Sequence, residues 1–217
     1  MKIKMNSKDY LQYMSKAAKT IKEQKDYITQ LDAATGDGDH WVNLNMGFEK
    51  ILEQKEELET MSLSEMFRKI AMILMSNVGG SSGVLYGSAY LKASQVVVNE
   101  DVIDIELLNK IITAELEGIM KRGNAQPGYK TMVDPLFRAR EGMERALQNK
   151  ATDKNVLLAM KKGAEYGMNE TLHMEAVKGR ASYQSDKGVG KLDPGAVTMF
   201  YQLKSLTDYL LEKINQE

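Results

Sequence analysis

Apolar residues recur at three- and four-residue spacing along nearly the whole chain, and no segment alternates apolar with polar residues as a half-buried strand does. Between Lys8 and Leu31 they fall at Tyr10, Leu11, Met14, Ala17, Ala18, Ile21, Ile28 and Leu31, with lysines and Glu23 elsewhere on the wheel. Further stripes lie at Leu44, Phe48, Ile51 and Leu52, along Ser62–Asn77, at Leu85, Tyr90 and Val96, and from Leu107 through Met120. Only 3 prolines interrupt 217 residues, while Met reaches 15, a balance that favours long helices. Two of those prolines follow an aspartate. Asp134-Pro135 and Asp193-Pro194 each offer a side-chain acceptor for an N-cap and a proline for the first helical position. They predict helices over Pro135–Lys150 and Pro194–Lys213. Asp153 is expected to cap a further helix reaching about Lys178, with His173 as one of its packing residues. The expectation is an all-α fold, an antiparallel bundle or barrel of roughly seven or eight helices without a sheet. The length suits one domain, residues 1–217.

Composition removes several functions. Lys and Arg count 29 against 30 for Asp and Glu, which argues against a nucleic-acid binder working by bulk charge. With 0 cysteines and 2 histidines, a disulfide scaffold, a thiolate or multi-histidine zinc site and a cysteine nucleophile are excluded. The N-terminal segment never runs apolar long enough for a signal core. No stretch approaches the ~20 apolar residues of a spanning helix, so the chain is read as cytoplasmic.

Four polar, glycine-bearing loops carry the chemistry: Asp32–Asn43, Gly79–Gly83, Gly123–Asp134 and Gly179–Gly195. In an up-down arrangement, loops separated by two helices lie at the same end, and these follow the first, third, fifth and seventh helices. They should therefore build one site. The first loop holds Asp32, Asp37 and Asp39, short carboxylates on glycine-loosened backbone that suit a hard divalent cation. A solvated turn is the bland reading of one Asp-Gly-Asp. The second, GGSSG, leads into a helix, so its amides and the hydroxyls of Ser81 and Ser82 form a candidate anion site. A flexible linker is the alternative. The third nearly spells a Walker phosphate loop, but Tyr129 intrudes before Lys130-Thr131 and the preceding segment is helical, whereas that motif follows a strand. Lys130 and Thr131 remain candidate polar groups near phosphate. The fourth supplies Arg180, either a phosphate fork or an ordinary surface arginine. His40 is a candidate metal-proximal or nucleotide contact, or a solvated loop residue.

Charge connects these loops. Like charges 4 Å apart cost on the order of 4 kcal/mol per pair at an effective dielectric near 20. A diphosphate can sit beside three aspartates only with divalent cations between them, and Mg²⁺ is the ion that favours carboxylate and phosphate oxygens together.

At these residues the chain resembles the L subunits of dihydroxyacetone kinases. The likeness rests on LDAATGDGDH…N at Leu31–Asn43, NVGGSSGVLYG at Asn77–Gly87, RGNAQPGYKTMVD at Arg122–Asp134 and KGRASY…DPGA at Lys178–Ala196, in that order. The resemblance implies a barrel of eight antiparallel helices that binds ADP or ATP and two Mg²⁺ ions at one end. It implies Asp32, Asp37 and Asp39 as metal ligands. Around the nucleotide it implies His40, Trp41, Val42, Asn43, Ser81, Ser82, Gly123, Thr131, Met132, Arg180, Asp193, Pro194 and Gly195. Arg180 and Lys130 are the candidates for direct work on the transferring group. In the phosphotransferase-dependent form, the nucleotide stays bound as a coenzyme. A phosphohistidine on an M subunit recharges it, and a K subunit presents dihydroxyacetone. A homodimer is left open, and neither nucleic acid nor membrane is implied. The alternatives are an L subunit of an ATP-dependent kinase for another short ketose, and a non-catalytic nucleotide-binding regulator. The chain departs from the family at Trp41, where glycine is usual, at Tyr129, where aspartate is usual, and over Ser185–Lys191.

Overall fold

The computed structural model describes residues 2–216. Among them are ten α-helices: α1 (Ser7–Glu23), α2 (Lys25–Thr35), α3 (His40–Glu53), α4 (Lys55–Glu59), α5 (Leu63–Asn77), α6 (Gly80–Val96), α7 (Ile105–Gly123), α8 (Val133–Gln148), α9 (Asp153–Glu170) and α10 (Pro194–Gln216). Two 3-10 turns, Thr171–His173 and Arg180–Tyr183, lie between α9 and α10. The described residues contain no strand, only an isolated antiparallel bridge between Met5 and Ile103.

Local capping signals mark five of the ten helix starts. Asn6 and Asp9, and Ser62 and Glu65, form reciprocal capping boxes at α1 and α5. Asp104 accepts from the Leu107 amide at 2.8 Å, and Asp193 accepts from the Ala196 amide at 2.8 Å. The Asp193-Pro194 reading is therefore met. Asp134-Pro135 is not an N-cap: α8 begins one residue earlier, at Val133. The Asp134 carboxylate instead accepts from the amides of Gly128 and Thr131 at 2.5 and 2.7 Å, folding the preceding loop back on the helix. Pro135 still fits, because the first turn has no intrahelical use for its amide. At α9 the cap is Thr152, while Asp153 accepts from the Ile3 amide at 2.8 Å and ties down the N-terminal segment. That helix stops at Glu170 rather than Lys178, and His173 is an exposed residue of a 3-10 turn rather than a packing residue. The expected long first helix breaks at Gln24.

The neighbour order closes on itself: α1, α3, α5, α6, α7, α8, α9, α10 and back to α1. Interrupted only at single glutamines, α1 with α2 and α3 with α4 each act as one stave, so eight staves form a barrel. The interior is filled by apolar side chains such as Leu11, Ile51, Phe67, Ile70, Leu136 and Leu157, all fully buried. Each such side chain contributes about 1.5–3 kcal/mol relative to exposure. Rings of Tyr10, Phe67 and Tyr90 stack edge-on and tilted across the core, with centroids 4.7 to 6.4 Å apart. No helix among the described residues is long and apolar enough to cross a membrane.

Candidate functional site

In a barrel of alternating staves, every second helix starts at the same end. Here α3, α6, α8 and α10 all begin around one cavity of about 540 Å³, which His40, Gly80, Val133 and Pro194 help to line. Each helix start carries unpaired amides and roughly half a positive charge. The fold thus concentrates a positive field at the end where the four polar loops were expected to meet, and all four contribute to the lining.

Against this field stands an acidic cluster. Asp32 closes the last turn of α2 and is buried, while Asp37 and Asp39 lie on the loop that follows. Each offers a carboxylate oxygen, and the three oxygens lie within 4.8 Å of one another. The loop needs its glycines. Gly38 adopts φ 78°, and a Cβ on Gly36 would fall 2.9 Å from Asp32 Oδ1. Asp32 Oδ2 accepts from the His40 amide at 3.0 Å, which fixes the carboxylate to the start of α3. An all-oxygen donor set this tight fits a hard divalent cation and disfavours a soft one. Arg180 reaches across from the fourth loop and pairs with Asp37, Nη2 to Oδ2 at 2.5 Å.

Another wall of the cavity is the start of α6. Gly79 is its N-cap, no side chain caps its first turn, and Ser81 and Ser82 add hydroxyls. A Cβ on Gly79 would fall 2.4 Å from Asn43 Oδ1, so glycine lets Asn43 of α3 close against this turn. At the start of α10, the half-buried Asp193 has its carboxyl pushed up to about 7 by desolvation, which outweighs its bond to Ala196 and the charge of Lys130. The His40 imidazole is held below its ordinary value by burial, partly offset by Asp32 and Asp39. Its Nε2 lies 2.9 Å from Thr198 Oγ1.

The structure brings Asp32, Asp37, Asp39, His40, Asn43, Ser81, Ser82, Gly123, Lys130, Thr131, Met132, Arg180, Asp193, Pro194 and Gly195 to one cavity. Trp41 and Val42 do not join them. Successive residues on a helix point about 100° apart, so with His40 and Asn43 facing the cavity at i and i+3, the two between face away. Trp41 packs against the core under the Lys25 ammonium, and Val42 is exposed. Lys130 reaches the lining, but its ammonium is not a free counter-charge: it donates to the carbonyls of Thr171 and Lys191, the latter at 2.6 Å. Burial lowers its pKa, with Asp193, Asp134 and Asp186 acting the other way. It staples the loop between α9 and α10. Arg122 and Lys178 line the cavity and were not singled out from sequence, although both lie in the motif segments at its rim.

Comparison with known proteins follows this geometry. The model of the DAK2 domain matches residues 34–208. The chain is 40% identical over 186 residues, 86% of its length and 88% of the relative's, to the ADP-binding subunit DhaL of a PEP-dependent dihydroxyacetone kinase from Listeria innocua. It is 37% identical over 91% of its length and 95% of the relative's to the ADP-binding subunit DhaL of the PTS-dependent dihydroxyacetone kinase of Lactococcus lactis. The solved dihydroxyacetone kinase of C. freundii shares the fold, with a TM-score of 0.72 at 22% identity over 91% of this chain and 34% of that one. A second structure of that enzyme, in complex with AMP-PNP and Mg²⁺, gives a TM-score of 0.69 at 24% identity over 91% of this chain and 33% of that one. The chain belongs to the DAK2 domain family.

Proposed function

We propose that this chain is the ADP-binding subunit of a phosphoenolpyruvate-dependent dihydroxyacetone kinase acting in the cytoplasm. It holds ADP with two Mg²⁺ ions as a coenzyme, is recharged by a phosphohistidine carrier subunit, and passes the γ-phosphoryl group to dihydroxyacetone on a separate substrate-binding subunit. One observation carries the reading: three carboxylate oxygens within 4.8 Å of one another share a cavity with the starts of four helices. Neither half explains the other unless a phosphate anion and divalent cations lie between them.

Asp32, Asp37 and Asp39 hold the metal, whose bound form neutralises charge on the phosphates. The free amides of α6 with Ser81 and Ser82 bind phosphate oxygens. Arg180, Arg122 and Lys178 supply positive charge at the rim. His40, Asn43, Gly123, Thr131, Met132, Asp193, Pro194 and Gly195 shape the nucleotide cavity. Lys130 acts by holding the α9–α10 loop in place. Phosphoryl transfer asks for positioning and charge neutralisation more than for a protein nucleophile, and this inventory is of that kind.

The test is to denature the purified protein and chromatograph the released small molecules, with and without prior chelator. The reading expects ADP in one-to-one ratio, lost after EDTA, and phosphoryl transfer to dihydroxyacetone with cognate partner subunits. A protein that binds neither ADP nor ATP in Mg²⁺ overturns it. One that is empty as purified but turns over free ATP points to the exchanging kinase.

A further inference from the structure

Thr198, on α10, is fully buried, and its hydroxyl touches both its own helix start and the site histidine. A hydroxyl holds one proton and two lone pairs. Thr198 Oγ1 donates to the Gly195 carbonyl at 3.1 Å. His40 Nε2 lies 2.9 Å from the same oxygen. Tyr86 accepts from Gln202 Nε2 at 2.8 Å, and Gln202 Nε2 also donates to the Thr198 carbonyl at 3.2 Å. With the Thr198 proton directed to the Gly195 carbonyl, the ring nitrogen facing its oxygen is the donor.

We infer that Thr198 is a positioning residue that locks His40 as the Nε2–H tautomer, leaving Nδ1 as the only acceptor on the ring. The inference rests on the reading of the cavity as a metal and nucleotide site and adds the role of His40 within it. Its backbone amide is spent on Asp32 and its Nε2–H on Thr198, so the imidazole has no donor left for a phosphate oxygen. It meets its ligand as a hydrogen-bond acceptor. The chemical class it fits is a donor, such as a metal-bound water or a ribose hydroxyl. Behind it, Gln202 bonds both the Thr198 carbonyl and Tyr86, so the ring's support is tied into the barrel interior.

The test reads the ring directly. The chain has 2 histidines, so a His173→Gln variant assigns the imidazole signals. In a long-range proton–nitrogen spectrum of the ¹⁵N-histidine protein above the imidazole titration range, His40 is expected as one Nε2–H species. Thr198→Val should release it into tautomer exchange and weaken Mg²⁺-dependent ADP binding about three- to tenfold, the worth of one net hydrogen bond. Thr198→Ser should restore both. A wild-type His40 protonated on Nδ1, or already averaging, overturns the inference whether or not Thr198→Val folds. So does a Thr198→Val ring spectrum unchanged from wild type. A locked Nε2–H ring in a protein that binds no nucleotide would leave this assignment standing and overturn the functional reading instead.

Discussion

Arg180 pairs with Asp37 across the mouth of the cavity at 2.5 Å, occupying an oxygen that the aspartate trio would otherwise turn to a cation. Both partners are largely open to solvent, with side-chain exposures of 63% and 40%, so the pair contributes at most about 1 kcal/mol. On the proposed function, Arg180 is expected to compete with metal in the nucleotide-free protein and to cooperate with it once phosphates arrive. Arg180→Gln is expected to bind Mg²⁺ alone up to about fivefold more tightly. The same variant should bind ADP in Mg²⁺ about tenfold more weakly, since a charge-assisted bond to phosphate is lost. Calorimetric titration with each ligand separately checks both signs. A loss of Mg²⁺ affinity would mean that Arg180 supports the carboxylates rather than competing for them.

Among the three acids, Asp37 gives the cleanest deletion. Asp32 is buried and holds the His40 amide, so its removal unsettles the start of α3 as well as the site. Asp37 lies on the loop after α2 and its carboxylate touches Arg180. Asp37→Ala is expected to abolish Mg²⁺-dependent ADP retention while leaving the far-ultraviolet dichroism and the unfolding midpoint close to wild type. Retention of ADP by that variant, measured by chromatography after desalting, would remove Asp37 from the ligand set.

Two glycines separate site from scaffold. A Cβ on Gly36 would meet Asp32 Oδ1 at 2.9 Å and Arg180 Cδ at 3.2 Å, groups that belong to the site. A Cβ on Gly83 would meet the Val78 carbonyl oxygen at 2.3 Å, where only backbone can give way. Gly36→Ala should cost about tenfold in Mg²⁺-dependent ADP affinity, comparable to disturbing a ligand's support, with little change in stability. Gly83→Ala should cost about 1–3 kcal/mol by urea unfolding, as overpacking does. Equal losses of stability in the two variants would contradict this division.

The helices and the meeting of the loops were legible because both follow from short-range pattern and from connectivity. Apolar spacing identified the staves, and alternation placed the loops after the first, third, fifth and seventh at one end. Asp193 was readable as a cap because the Ala196 amide it holds is three residues away. What escaped were roles set by distant partners. Asp134 has the same local pattern as Asp193 but spends its carboxylate on Gly128 and Thr131, and nothing in Asp-Pro distinguishes the two. The ammonium of Lys130 answers carbonyls 41 and 61 residues away. Trp41 and Val42 were placed at the nucleotide as loop residues; once the helix is seen to start at His40, its turn carries both away from the cavity. The break at Gln24 carries neither glycine nor proline to announce it.

The barrel interior makes a separate prediction about pH. Glu115 of α7 faces a small internal cavity of about 30 Å³, walled by Tyr10, Tyr13, Tyr86, Tyr90 and Gln202. Desolvation pushes its carboxyl up to about 8. The cavity has room for water, which such a carboxyl needs. The sign follows from proton counting. The unfolded chain releases this proton near 4.5, and the folded chain keeps it until about 8. Between those values the folded state binds the extra proton, so stability falls as pH rises across the window and levels off above it. Asp193, raised to about 7, adds to the same fall over the lower part of the window. Glu115→Gln carries no titrating proton. It should match wild type at about pH 5 and exceed it by a few kcal/mol, at the order-of-magnitude level, above about pH 8. Because Asp193 titrates in both proteins, the difference between the two urea-derived curves isolates Glu115, and that difference should keep growing up to about 8. A flat difference would show that Glu115 is already ionised inside the barrel, hydrated well enough by cavity water to keep its charge.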